Sequence, residues 1–152
     1  MRLFKTVRMK MNKGSYLLFI ELPEDILVTI SGKEYPIQNG LYTYVGSAMK
    51  NLKQRINRHI SFKEGCYKKH WHVDQLLEKG KVISTLALPS VHRSEEELSM
   101  FLSTFYQTIS GFGATDCKRV DSNLFYLSNH LEDYFSIIRK VLEYNCNKKM
   151  KN

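Results

Sequence analysis

Three side chains that suit phosphodiester chemistry fall close together in the segment YVGSAMKNLKQRINRH: Tyr44, Arg55 and His59. Hydrolysing a phosphodiester requires that an attacking water lose a proton, that charge on the phosphorus oxygens be offset, and that the leaving oxygen be stabilised. Arginine suits the second task, because its planar fork binds phosphate oxygens bidentately and stays charged. A tyrosine hydroxyl or an imidazole can relay the proton. Magnesium held by a single carboxylate suits the third task, since it takes few protein ligands and keeps its waters. Gly46 permits a tight turn or a close backbone approach. Taken singly, Tyr44 is an ordinary sheet residue, Arg55 a surface cation and His59 a core or surface histidine. Their grouping in one strand–turn–helix unit is what points to chemistry.

That unit needs elements to position it. Tyr16 to Leu22, YLLFIEL, is a continuous apolar run ended by Pro23, and predicts a buried strand. Ile26 to Ile30 predicts a second strand. Ser31-Gly32 signals a turn, with Glu34 to Ile37 returning as its partner. Asn39-Gly40 leads into a strand over Leu41 to Val45. Gly46-Ser47 then opens a helix from about Ala48 to Ser61, with Ser47 as the expected cap. Leu52, Ile56 and Ile60 form its apolar stripe, and Arg55 and His59 lie together along one flank. A short helix is expected over His70 to Glu78, and a strand over Val82 to Leu88. A further helix is expected over Glu95 to Ile109, opened by a capping box of Ser94 and Glu97. Leu124 to Leu127 reads as a short strand and His130 to Tyr144 as a closing helix. Early strands joined by tight turns predict an α+β domain: a small, mainly antiparallel sheet flanked by helices, with an extra hairpin.

The totals agree with one soluble domain. The chain has 152 residues, 43% hydrophobic and 25% charged, which is enough to bury a core without disulfides. The expected organisation is a basic segment over 1–13, the domain over 14–144 and a flexible basic tail over 145–152. No stretch approaches the roughly 18 apolar residues of a membrane span, and no secretory leader is evident, so a cytoplasmic location is expected. Cys66, Cys117 and Cys146 are far apart and form no CxxC pair, which argues against a disulfide framework or a thiolate zinc site. The net charge is +8, and seven Lys or Arg residues lie between Lys50 and Lys69 against one acid, Glu64. A local cationic excess of this kind is the footprint of a polyanionic partner. Lys50, Lys53, Arg58, Lys68, Lys69, His70 and His72 are the expected nucleic-acid contacts.

The order of these motifs resembles the GIY-YIG nuclease superfamily. Gly14-Ser15-Tyr16 resembles its first triplet and Tyr44-Val45-Gly46 its second. Arg55 falls where the family's helix carries a phosphate-contacting arginine, and His59 where some members have histidine and others tyrosine. GLYTYVGSA, LKQRINRH, HWHVD, ELSMFL, GFGATDC and NLFYL occur in the same order as in a little-characterised branch. Some members of that branch are fused to a DNA-repair glycosylase. The resemblance covers Gly14 to Leu127. It implies one divalent metal, Mg²⁺ or Mn²⁺, on a glutamate of a later helix, with Tyr16 and Tyr44 lining the site and Tyr16 as base or water-positioner. The glutamate is one of Glu95, Glu96 and Glu97. Glu97 is preferred because it directly precedes the ELSMFL pattern, with Glu95 second. The chain departs from the pattern at Ser15, where isoleucine is usual, and in the long separation of the triplets. Ser47 stands where repair members carry lysine, Asn123 where the closer branch has histidine, and Arg119 where it has cysteine.

The cluster His70-Trp71-His72-x-Asp74 is a hallmark of that branch. Two histidines and a carboxylate can bind a transition metal. The reading preferred here is structural or DNA-facing, with His70 or His72 on a phosphate or backbone group and Trp71 in the core. The functional expectation is a metal-dependent endonuclease acting on DNA, in repair or in processing structured DNA. The competing classes are a catalytically inactive nucleic-acid-binding module and an RNA-directed nuclease. No separate recognition domain is evident, so a protein partner is expected to supply specificity.

Overall fold

The computed structural model describes residues 11–113, 119–128 and 130–151. In chain order the elements are β1 (Gly14–Leu22), β2 (Ile26–Ile30), β3 (Lys33–Ile37), β4 (Gly40–Ala48), α1 (Leu52–Ile60), α2 (Val73–Lys79), β5 (Lys81–Pro89), α3 (Glu95–Ser103), β6 (Gln107–Thr108), β7 (Leu124–Ser128) and α4 (Leu131–Met150). Five strands form one sheet in the order β5-β1-β4-β7-β6, every pairing antiparallel. β2 and β3 pair separately as the extra hairpin. The expected α+β class and antiparallel sheet are therefore borne out. Among the described residues, no helix is long and apolar enough to cross a membrane.

The unbroken apolar run of β1 follows from burial on both faces. Tyr16, Leu18, Ile20 and Leu22 pack with Leu52 and Ile56 of α1, and with Val73, Leu76 and Leu77 of α2. Leu17 and Phe19 point the other way, onto Leu98 and Leu102 of α3 and Ile137 and Val141 of α4. A strand covered on both sides has no reason to alternate apolar with polar. The hairpin joins the first of these cores through Val28, Ile30 and Ile37. It is held to α2 by Gln75, whose side-chain amide accepts from Thr29 N–H and donates to Thr29 O.

Several boundaries differ from expectation for local reasons. Ser47 and Ala48 stay in β4, and α1 begins at Leu52. Its cap is Asn51, at a left-handed φ of 58°, a conformation that asparagine tolerates better than most residues. Asn12 completes the cap from outside: its carbonyl accepts Leu52 N–H and its side chain accepts Lys53 N–H. Within α1, Ile60 is half exposed and His59 takes its place in the core beside Leu52 and Ile56. α3 stops at Ser103, well short of Ile109, and the chain turns so that Gln107 and Thr108 can pair with β7. The Ser94–Glu97 capping box does not form. α4 continues to Met150, so most of the expected flexible tail is helix.

Candidate functional site

The register of β1 against β4 sets Tyr16 opposite Gly46. The Tyr16 ring lies across that glycine: a Cβ at position 46 would sit 2.3 Å from Tyr16 Cζ and 2.4 Å from its hydroxyl. Glycine is thus required by the ring of the neighbouring strand and by no unusual turn of its own. The ring's hydroxyl reaches over to α1 and meets His59 Nε2 at 2.9 Å. Burial pushes the His59 imidazole down to about 4, with Asp74 opposing and Arg58 and Arg55 reinforcing. His59 is therefore uncharged at neutral pH, and its Nε2 accepts from Tyr16 in the Nδ1–H tautomer and donates to it in the other. Burial raises the Tyr16 hydroxyl well above its ordinary value, an effect that Arg55 offsets in part. Tyr44 is raised as well, by burial first and then by Tyr16 and Glu95.

Alternation along β4 turns Ser47 to the opposite face from Tyr44 and Gly46. Ser47 joins three charged groups there. Its carbonyl accepts from Arg55 Nη1 at 2.7 Å. Its hydroxyl donates to Glu95 Oε2 at 2.5 Å and accepts from Arg93 Nε at 3.2 Å. The other carboxylate oxygen of Glu95, Oε1, accepts from Asn123 Nδ2 at 2.8 Å. Arg93 Nη2 lies 3.8 Å from the same glutamate.

These groups open onto one pocket of about 320 Å³, lined by Tyr16, Tyr44, Gly46, Ser47, Arg55 and Glu95, with His70, Trp71 and His72 on one side and Arg93 and Gly113 on another. Such a pocket can hold a phosphate against two guanidinium groups. It also carries a carboxylate with spare lone pairs for a hard cation, since each Glu95 oxygen receives one hydrogen bond and has room for more.

Asp74 builds the wall that carries the histidines. It is fully buried and accepts four hydrogen bonds: Arg58 Nη1 and Nη2 at 3.1 and 3.0 Å, and the N–H groups of His70 and Trp71 at 2.8 and 3.1 Å. Burial alone would raise its carboxyl, but these donors outweigh it and hold it below the usual carboxylate range. The Arg58 guanidinium also donates to Lys68 O and stacks 4.5 Å from the Trp71 ring centre, with Phe62 and Tyr67 against it. Trp71 lies under Arg55 too, at 5.0 Å.

Of the residues singled out by sequence, Tyr16, Tyr44, Arg55 and His59 converge, with Gly46 between them. Glu97 does not join them. It points away from the pocket and pairs with Lys148 of α4, because two residues along a helix rotate a side chain by about 200°. Glu95 takes the place foreseen for it as second choice, and Glu96 pairs with Arg119. Arg58 is not an open phosphate contact, since its fork is taken by Asp74 and Lys68. Lys69 pairs with Glu78, while Lys50, Lys53 and Lys68 are exposed. His70 and His72 both line the pocket. They precede α2 and are not on it. Cys66 and Cys146 are free and exposed, and Cys117 lies outside the described residues, as do 114–116 of the GFGATDC motif. Sequence reasoning gave no role to Arg93, read Ser47 as a helix cap and a departure from a pattern, and noted Asn123 only as such a departure.

Comparison with known proteins gives a family but no activity. No curated protein and no solved structure matches the chain. A family model described as a domain of unknown function, DUF123, matches residues 15–145, and the chain belongs to that family.

Proposed function

We propose that the protein is a divalent-metal-dependent nuclease of the GIY-YIG type, hydrolysing phosphodiester bonds in nucleic acid, with DNA in repair or structured intermediates as the substrate class. The observation that carries this reading is the convergence of Tyr16, Tyr44, Arg55 and Glu95 on one pocket, with His59 bonded to Tyr16 behind it. The cationic surface of Lys50, Lys53 and Lys68 and the net charge of +8 support a polyanionic substrate.

Each side chain has a task its surroundings suit. Arg55 is anchored by one Nη on Ser47 O and backed by Trp71, which leaves its remaining N–H groups for phosphate oxygens. Burial keeps Tyr16 in its neutral form, so its hydroxyl orients the attacking water and is itself fixed by the bond to neutral His59. Glu95 is the residue that would hold Mg²⁺ or Mn²⁺. When bound, such a cation supplies positive charge to the phosphate and leaving oxygens. Arg93 adds a second cation at the mouth, 70% exposed along its side chain.

The test is a cleavage panel of duplex, single-stranded, flap and junction DNA, with an RNA control, in Mg²⁺ and Mn²⁺. The nuclease reading expects metal-dependent products from at least one substrate, lost by about 10²-fold or more in Arg55→Ala and in Glu95→Gln. Salt-sensitive binding without cleavage of any panel member would instead make the chain a nucleic-acid-binding module. Cleavage of the RNA control alone would redirect the substrate class. Specificity from a protein partner would show as cleavage gained on adding that partner.

A further inference from the structure

Asn123 and Ser99 are buried polar side chains that the reading above leaves without a task, at 2% and 0% exposure. Ser99 lies one turn after Glu95 on α3, so the two share a face of the helix. Asn123, at the entry to β7, bridges them. Its Nδ2 donates to Glu95 Oε1 at 2.8 Å, and its Oδ1 accepts from Ser99 Oγ at 2.8 Å. The Glu95 carboxylate, which only accepts, settles which way the amide points, and the Ser99 hydroxyl then donates to the remaining Oδ1 and holds it. Turned over, Oδ1 would face the carboxylate and Nδ2 the hydroxyl, and the donation to Glu95 would be lost. Gly113 seals the arrangement from above, since a Cβ there would come 3.1 Å from Asn123 Nδ2 and 3.0 Å from Tyr44 Oη. The backbone holds Asn123 as well: its N–H donates to Phe112 O, and its carbonyl accepts from Val45 N–H.

Glu95 therefore receives one donor on each oxygen, Ser47 from β4 and Asn123 from β7, which together fix the plane of the carboxylate. A long side chain at the first residue of a helix would otherwise sample several rotamers, and ordering it would weaken any ligand it binds. Groups that orient a metal ligand in this way typically change metal affinity 10- to 100-fold when removed. We propose that Asn123, locked by Ser99, is the positioning residue that presets the Glu95 carboxylate to bind a hard divalent cation. The proposal rests on the nuclease reading in taking Glu95 as the metal ligand.

The experiment measures Mn²⁺ binding to the full chain by electron paramagnetic resonance, with wild type, Glu95→Gln, Asn123→Leu and Ser99→Ala compared. Leucine keeps the branched heavy-atom skeleton of asparagine and removes its donor. Ser99→Ala keeps the donor and releases its orientation, and stands in if Asn123→Leu does not fold. The expected result is binding abolished in Glu95→Gln, weakened about 10- to 100-fold in Asn123→Leu, and weakened less, in the same direction, in Ser99→Ala. The metal concentration giving half-maximal cleavage rises by the same factors, while the rate at saturating metal is retained. Wild-type affinity in the folded Asn123 and Ser99 variants, with binding still dependent on Glu95, overturns the proposal and leaves the nuclease reading standing. Binding that Glu95→Gln does not change, or none in the wild type, overturns both.

Discussion

The burial of His59 makes a quantitative claim about stability and pH. The ring is 2% exposed, bonded to Tyr16, and faced by Asp74, Arg55, Arg58 and Trp71. Its imidazole titrates near 4 in the folded chain against 6.5 when free. As pH falls below 6.5 the unfolded chain takes up a proton that the native state refuses until about pH 4. Stability contributed by neutral His59 is thus complete above 6.5 and is lost through the window down to 4. Linkage puts the full loss at about 3 kcal/mol, and about 2 kcal/mol is already lost at pH 5. Asp74 does not confuse this window. Its depressed carboxyl contributes stability above its ordinary value near 3.8, and that contribution is lost only at lower pH. Urea denaturation at pH 7 and pH 5 is the assay, on wild type and on His59→Gln, which keeps an acceptor for Tyr16. Wild type should lose about 2 kcal/mol more than the variant between the two pH values. Equal losses would show that His59 is not held neutral, and would remove the basis for treating it as a neutral anchor of the Tyr16 hydroxyl.

Three further outcomes follow from the same geometry. Gly46→Ala should cost about 1–3 kcal/mol by forcing the buried Tyr16 ring aside, and lower Tm by roughly 2–4 °C for each kcal/mol, measured by thermal melting; an unchanged Tm would mean that the ring is free to move. Arg58→Ala strands the fully buried Asp74 carboxylate and should cost about 3–5 kcal/mol in chemical denaturation, far beyond the loss of a surface cation. Glu97→Gln, which breaks only a pair with Lys148, should retain wild-type cleavage under conditions where Glu95→Gln loses it; the reverse pattern would restore Glu97 as the metal ligand.

What was legible in the chain was whatever local pattern controls. The apolar run YLLFIEL predicted a strand because burial on both faces leaves it no polar side, and the helical spacing of Arg55 and His59 brought Arg55 to the pocket and His59 onto Tyr16 behind it. Boundaries failed where distant residues decide them. Nothing near Asn51 says that Asn12, far up the chain, caps α1, so Ser47 was mistaken for the cap. Nothing in Ile60 says that the core prefers His59, because that preference comes from Tyr16 on another strand.

The preferred glutamate misses the pocket for a related reason. Glu95, Glu96 and Glu97 are adjacent, and Glu97 was favoured for its place at the ELSMFL pattern. The three point in different directions around α3, so the choice belongs to whatever each meets: Ser47 and Asn123, Arg119, or Lys148. Ser47 had registered as a helix cap and, like Asn123, as a departure from a family pattern. In the fold, these two neutral residues donate to Glu95, the one carboxylate among the described residues that reaches the pocket, while a cation at its mouth comes from Arg93 on the β5–α3 connection. A missing cation at position 47 therefore does not argue for a dead site. The serine's hydroxyl holds Glu95 and Arg93 together, and a lysine there could donate to the glutamate but could not accept from the arginine.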